Sequence, residues 1–152
     1  MVRRFFQVAG KVALGGCVLV TIFDKIGHPA IVCGNSMLPT LNGKSESIFE
    51  RDFVWLSSLG PAYKPKPGDI ITFTSPKNAD QVHIKRCTAI EGGVVKPKRR
   101  DELMIIPTGT YWMESDNPHN ALDSHVYGPV NRGLMHARAT HVIWPPQRWQ
   151  QI

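Results

Sequence analysis

From residue 31 onward, short apolar runs alternate with clusters of glycine, proline and asparagine, and that interruption sets the tightest limit on the fold. Nine of the thirteen glycines and eleven of the twelve prolines lie there and leave no stretch with a helical period of useful length. What remains reads as strands: 53–56 after a polar loop at 42–50, 70–73, 82–90 as the longest, 110–114, and 134–144 as the last. Gly60-Pro61 and Pro65 keep 57–66 irregular, and Pro67-Gly68-Asp69 forms a turn into 70–73. Short strands bounded by turn residues predict a mostly β fold, a small antiparallel barrel or sandwich. The length of 152 residues suits one such domain with a core of its own.

The N-terminus breaks this pattern. Arg3 and Arg4 precede an apolar stretch reaching residue 26, with an uncharged centre at 12–23 bracketed by Lys11 and Asp24. Three readings compete: a cleaved signal peptide, an amphipathic targeting helix and an uncleaved transmembrane anchor. The exit, Asp24-Lys25-Ile26-Gly27-His28-Pro29, has no small-residue cleavage site. The centre is short of the ~20 residues of a full span, but Lys11 can extend it by reaching the headgroups. The expected organisation is therefore a membrane anchor at 1–27 and a β domain at 28–152. Basic residues at the start keep that end on the inner side, with the β domain outside.

The formal charge of +6 invites a nucleic-acid reading. The only dense basic run, 96–100, lacks interleaved aromatics, so no nucleic-acid partner is expected. The basic surface suits contact with anionic lipid instead. Cys17, Cys33 and Cys87 are an odd set at wide spacing, giving neither a disulfide framework nor a metal motif. A thiol protease is the sharper reading of Cys33 or Cys87; small buried residues in strand-like segments is the plainer one. The six histidines show no metal-ligand spacing, and no cofactor is expected.

Two short stretches carry chemistry. Gly34-Asn35-Ser36-Met37-Leu38-Pro39-Thr40-Leu41 sets a serine between a glycine and a proline, just after the apolar segment 31–33. Read alone, this is an ordinary turn. As a reactive loop, Gly34 supplies conformational freedom, Pro39 fixes the exit, and the Ser36 N–H can donate to a developing oxyanion. A serine still needs a base, and a lysine desolvated among apolar groups can be one. Lys85, in Ile84-Lys85-Arg86-Cys87, shares a strand face with Cys87 and Ala89. Arg86 points the other way, either to solvent or to a carboxylate.

These stretches occur in order with Gly68-Asp69-Ile70-Ile71, Glu91-Gly92-Gly93 and the acidic segment from Asp116-Asn117 to Asp123-Ser124. The ordered set resembles the type I signal peptidase family, membrane enzymes that cleave with a Ser–Lys dyad. The tail, His141-Val142-Ile143-Trp144-Pro145-Pro146-Gln147-Arg148-Trp149, is similar to the family's mitochondrial inner-membrane branch. The resemblance implies a serine endopeptidase with Ser36 as nucleophile and Lys85 as general base. It implies Asp116 as the partner of Arg86, and Asp123 as support for the active-site loop. Its substrates would be sorting peptides of proteins delivered to the intermembrane space, bound as extended strands. Its partner would be a paralogous catalytic subunit in the same membrane.

Three positions depart from the bacterial pattern of the family. Gly34 stands where a second oxyanion donor is common, leaving the Asn35 amide as the available substitute. Ala121 stands where a hydroxyl orients the lysine, leaving Ser124. His125 replaces an arginine, and an Asp123–His125–Ser36 triad is the competing mechanism. Two other readings stay open: a bacterial or plastid signal peptidase, and a non-catalytic subunit that keeps the fold.

Overall fold

The computed structural model describes residues 15–16, 20–21, 23, 26–60, 62–98, 101–119 and 122–152. Ten strands follow in chain order among them: β1 (Gly27–Ile31), β2 (Phe53–Ser58), β3 (Ile70–Thr74), β4 (Val82–Ala89), β5 (Val94–Val95), β6 (Met104–Ile105), β7 (Thr110–Glu114), β8 (Val130–Asn131), β9 (Met135–Trp144) and β10 (Gln150–Gln151). Residues 15–16, 20–21 and 23 are helical, and from residue 26 on helix is confined, among the described residues, to short pieces, including one α turn, α1 (Ser124–Tyr127). The expected anchor at 1–27 lies mostly outside the described residues, and among those described no helix is long and apolar enough to cross a membrane.

Eight strands form one sheet, in the order β1-β2-β9-β3-β4-β7-β8 with β10 against β9, and β5 and β6 form a separate hairpin. The sequence of short strands predicts antiparallel pairing, and every pairing is antiparallel. Among the described residues the sheet does not close into a barrel: β1 and β8 end it. Alternation reports which face of a strand is apolar, and closure depends on strand number and stagger, which alternation does not report.

β3 and β9 make the centre. The run Ile70–Phe73 is buried throughout because both sheet faces carry a core. Ile70 joins Val32, Met37, Leu41, Val54 and Leu56 on one face. Ile71 and Phe73 join Cys87, Tyr111, Met113 and Val130 on the other. Register shifts interrupt β2–β9, β3–β9 and β4–β7. Such bulges bend a sheet, and the bending lets β1 and β4, with three strands between them, line one groove.

Candidate active site

The loop from Gly34 to Gly43 is closed at its base by a bridge between those two glycines, with Gly34 N–H donating to Gly43 O at 3.0 Å. Gly34 has φ +88°, a left-handed conformation that side chains resist. At Gly43 a Cβ would stand 2.6 Å from the Gly34 carbonyl oxygen, so the close approach requires glycine. Met37 and Leu41, 1% and 0% exposed, anchor the loop in the core, while Ser36 and Asn35 between the base and that anchor stay partly exposed. The Leu38–Pro39 peptide at its exit is cis.

Lys85 meets this loop from β4. Its Nζ donates to Ser36 Oγ at 2.6 Å and to Ile84 O at 3.1 Å. Ile71 lies directly opposite on β3, and Lys85 is only 5% exposed. Burial penalises the ammonium and lowers its pKa from 10.5 to about 8; the charges of Asp123 and Asp116 pull the other way and do not cancel it. An amine at that poise can take a proton from a serine hydroxyl near neutral pH.

Arg86, on the opposite strand face, forms a two-point contact with Asp116: Nε to Oδ1 at 2.9 Å and Nη2 to Oδ2 at 2.7 Å. It also donates to Gly68 O and Thr40 Oγ1, tying the turn before β3 and the serine loop to β4. Burial pushes the Asp116 carboxyl up, but hydrogen bonds from Arg86 and Thr40 and the charges of Arg86 and Lys85 outweigh it, holding it below the usual carboxylate range. Asp69, in the turn ahead of β3, accepts the Lys66 N–H, and its carbonyl accepts the Cys87 N–H. That turn sets the register that brings Lys85 level with Ile71.

The acidic segment closes the far side. Asp123, 1% exposed, caps α1 by accepting the His125 N–H at 3.0 Å, and its second oxygen accepts the Ser115 N–H at 3.2 Å. Ser124 Oγ accepts the Met113 N–H at 2.9 Å, so this hydroxyl braces β7. Ala121 lies outside the described residues. His125 Nδ1 accepts the Lys98 N–H and its Nε2 lies 3.2 Å from Glu114 Oε1. Both ring nitrogens are engaged away from Ser36, so no Asp123–His125–Ser36 triad forms.

Three contacts on the serine loop went unread in the sequence. Asn117 N–H donates to Ser36 O at 2.9 Å, and its side-chain amide to Asn35 O at 3.0 Å. Arg148, from the tail, grips Asp52 at two points, 2.8 and 3.0 Å, and reaches Thr40 O at 3.1 Å. Asp52 is fully buried. The neighbouring Asp116 and the Pro-rich tail were the only local signals for these braces. Among the described residues the Ser36 N–H has no acceptor, which leaves it available to an oxyanion, and the Asn35 side-chain amide makes no hydrogen bond there either. Cys87 is buried and its thiol is pushed up to about 12, against thiolate chemistry. Cys33 is exposed.

Beside the dyad, a cavity of about 290 Å³ opens between Ala30–Val32 of the β1 segment and Val82–Ile84 of β4, with Val54, Leu56 and Thr72 at its floor. Among the described residues no group of histidine, cysteine and carboxylate side chains is arranged to hold a metal ion.

The family described as "Signal peptidase, peptidase S26" matches residues 5–105, two-thirds of the chain and the part that carries Ser36 and Lys85. The chain belongs to this family. Mitochondrial inner membrane protease subunit 2 of Danio rerio is 42% identical over 99% of the chain and 82% of its own length. The subunit 2 of Mus musculus is 41% identical over 89% and 77%. That of Saccharomyces cerevisiae is 35% identical over 87% and 76%.

Proposed function

We propose that this chain is a serine endopeptidase in which Ser36 is the nucleophile and Lys85 the general base. The observation that carries the reading is the 2.6 Å contact between Lys85 Nζ and Ser36 Oγ, made by a lysine whose pKa burial lowers to about 8. Neutral Lys85 takes the Ser36 hydroxyl proton as Oγ attacks the scissile carbonyl carbon. The oxyanion of the tetrahedral intermediate is stabilised by the Ser36 N–H. Lys85, now an ammonium, returns the proton to the leaving nitrogen, and the C–N bond breaks to leave an ester on Ser36. Water, deprotonated by neutral Lys85, hydrolyses the ester and restores both groups.

The substrate is an extended peptide. β1 is an end strand, and β4 pairs with β7 only from Arg86 onward, so the edges of both strands beside the dyad are open among the described residues. A peptide laid between them pairs with the sheet as an added strand. The groove walls, Ala30, Val32, Ile84 and Val82, favour short apolar side chains near the cut.

The named relatives are mitochondrial inner membrane protease subunits, which supports the same membrane as this chain's place of work. There the chain removes sorting peptides from proteins delivered to the intermembrane space, held by a single N-terminal span with the β domain facing that space. It works beside a paralogous catalytic subunit. The test is processing of an intermembrane-space precursor by membranes carrying wild-type chain, Ser36→Ala or Lys85→Met, with abundance and assembly checked in each. Both substitutions are expected to abolish processing. Processing at the wild-type rate in both variants means that the chain is a non-catalytic subunit.

A further inference from the structure

The Ser–Lys reading leaves one donor of the base without a destination. When Lys85 has taken the serine proton, its ammonium carries three N–H bonds. One goes to Ile84 O, as at rest. One must reach the leaving nitrogen. The third needs an acceptor beside an amine that is only 5% exposed, and the hydroxyl expected from the family pattern is missing at Ala121, while Ser124 Oγ already accepts the Met113 N–H.

Ser115 Oγ is buried and has no hydrogen-bond partner among the described residues. A buried hydroxyl without a partner is costly and calls for a reason. The β4–β7 ladder pairs Cys87 with Met113 and Arg86 with Glu114. One further step sets Ser115 opposite Lys85. Facing residues of an antiparallel pair project to the same side, with Cβ atoms ~4.5–5.5 Å apart. The alternation holds beyond the ladder's end: Arg86 reaches Asp116, two residues past its own partner Glu114. Arg86, Glu114 and Asp116 thus share one side, and Lys85, Cys87, Met113 and Ser115 the other. Asp123 ties the two together, since it accepts the Ser115 N–H and its charge acts on Lys85.

We propose that Ser115 is a positioning residue for Lys85, its hydroxyl accepting the third N–H of the ammonium while the proton passes to the leaving nitrogen. The contact is not made at rest, when Ser36 Oγ holds the amine; it forms as Ser36 turns to the carbonyl and persists in the acyl-enzyme, whose hydrolysis also uses Lys85. Loss of the hydroxyl lets the ammonium swing away from the leaving group. The other groups facing this amine are Asp123 from the cap of α1, Asp116 from the loop after β7, and His83 from its own strand.

The test uses the full membrane complex and a peptide substrate, comparing wild type with Ser115→Ala, Ser115→Cys and Ser115→Thr across pH. Expected for Ser115→Ala is a fall in kcat of about tenfold or more, with KM within about twofold. The rising limb of kcat moves to lower pH, because the ammonium has lost an acceptor. Ser115→Cys, a weak acceptor, follows Ser115→Ala, and Ser115→Thr, which keeps the hydroxyl, recovers most of kcat. Wild-type kcat and pH limb in Ser115→Ala overturn the proposal. So does a limb displaced to higher pH with a lowered thermal midpoint, the mark of water entering a damaged site. Ser36→Ala and Lys85→Met run alongside: if they cleave, the dyad reading falls, and if they are inactive while Ser115→Ala is wild-type, only the role of Ser115 falls.

Discussion

Lys85 carries opposite consequences for stability and for rate. Its pKa is lowered from 10.5 to about 8 because a 5% exposed ammonium has lost its water. Between those values the unfolded chain binds a proton that the folded chain does not, so stability rises with pH across that window. Below about pH 8 both states are protonated and the folded state bears the full cost, roughly 3 kcal/mol. Lys85→Met keeps the apolar stem and removes the charge. It should therefore be more stable than wild type at pH 7, by up to about 3 kcal/mol in urea unfolding. The gain should shrink to nothing as pH approaches 10.5. A Met variant no more stable at pH 7 means that the amine is well solvated and unfit as a base. The same poise predicts that wild-type kcat/KM rises tenfold per pH unit below about 8 and levels above it, as the neutral amine becomes the major form. A limb near 6.5 in a pH–rate series points instead to a histidine.

The serine loop is held as an element by contacts from two distant parts of the chain and by a bridge across its own base. Asn117 grips its start, Arg148 its end, and the Gly34–Gly43 bridge its base. Arg148→Ala leaves Asp52 buried and unpaired, and removal of one partner from such a pair costs about 3 kcal/mol. The prediction is a lower thermal midpoint together with slower cleavage; a variant of unchanged stability means that Asp52 is paired some other way. The two glycines separate strain from collision. Gly34→Ala meets open space and costs about 1–2 kcal/mol of backbone strain. Gly43→Ala drives a methyl into the Gly34 carbonyl, so the base of the loop must open and cleavage should suffer more. Equal losses in the two variants contradict this picture of the loop. Much of the element was legible in the sequence: the glycine turn and the buried position of Lys85 on an alternating strand, while the residues alone left Arg86 open between solvent and a carboxylate. Arg148 and Asp52 were not, because they are 96 residues apart and a long-range ion pair leaves no local period. The Ile84 carbonyl that holds Lys85 was equally invisible, being backbone that any residue supplies.

At the scale of the molecule, alternation foretold an antiparallel sheet but not its open ends. Those ends matter, since a closed barrel has no edge to offer a peptide. The open edges of β1 and β4 flank the groove beside Ser36, and a bound strand pairs through alternate amides. N-methylation scanned along a peptide substrate should therefore slow cleavage by about tenfold or more at every second position and little between. Uniform tolerance contradicts strand addition. The most direct test of the central claim is mass spectrometry of the enzyme quenched in acid during turnover. The account predicts a peptide containing Ser36 heavier by the acyl part of the substrate, present in wild type and absent in Lys85→Met. An acyl group on Cys33, or cleavage that continues with none on Ser36, would contradict it.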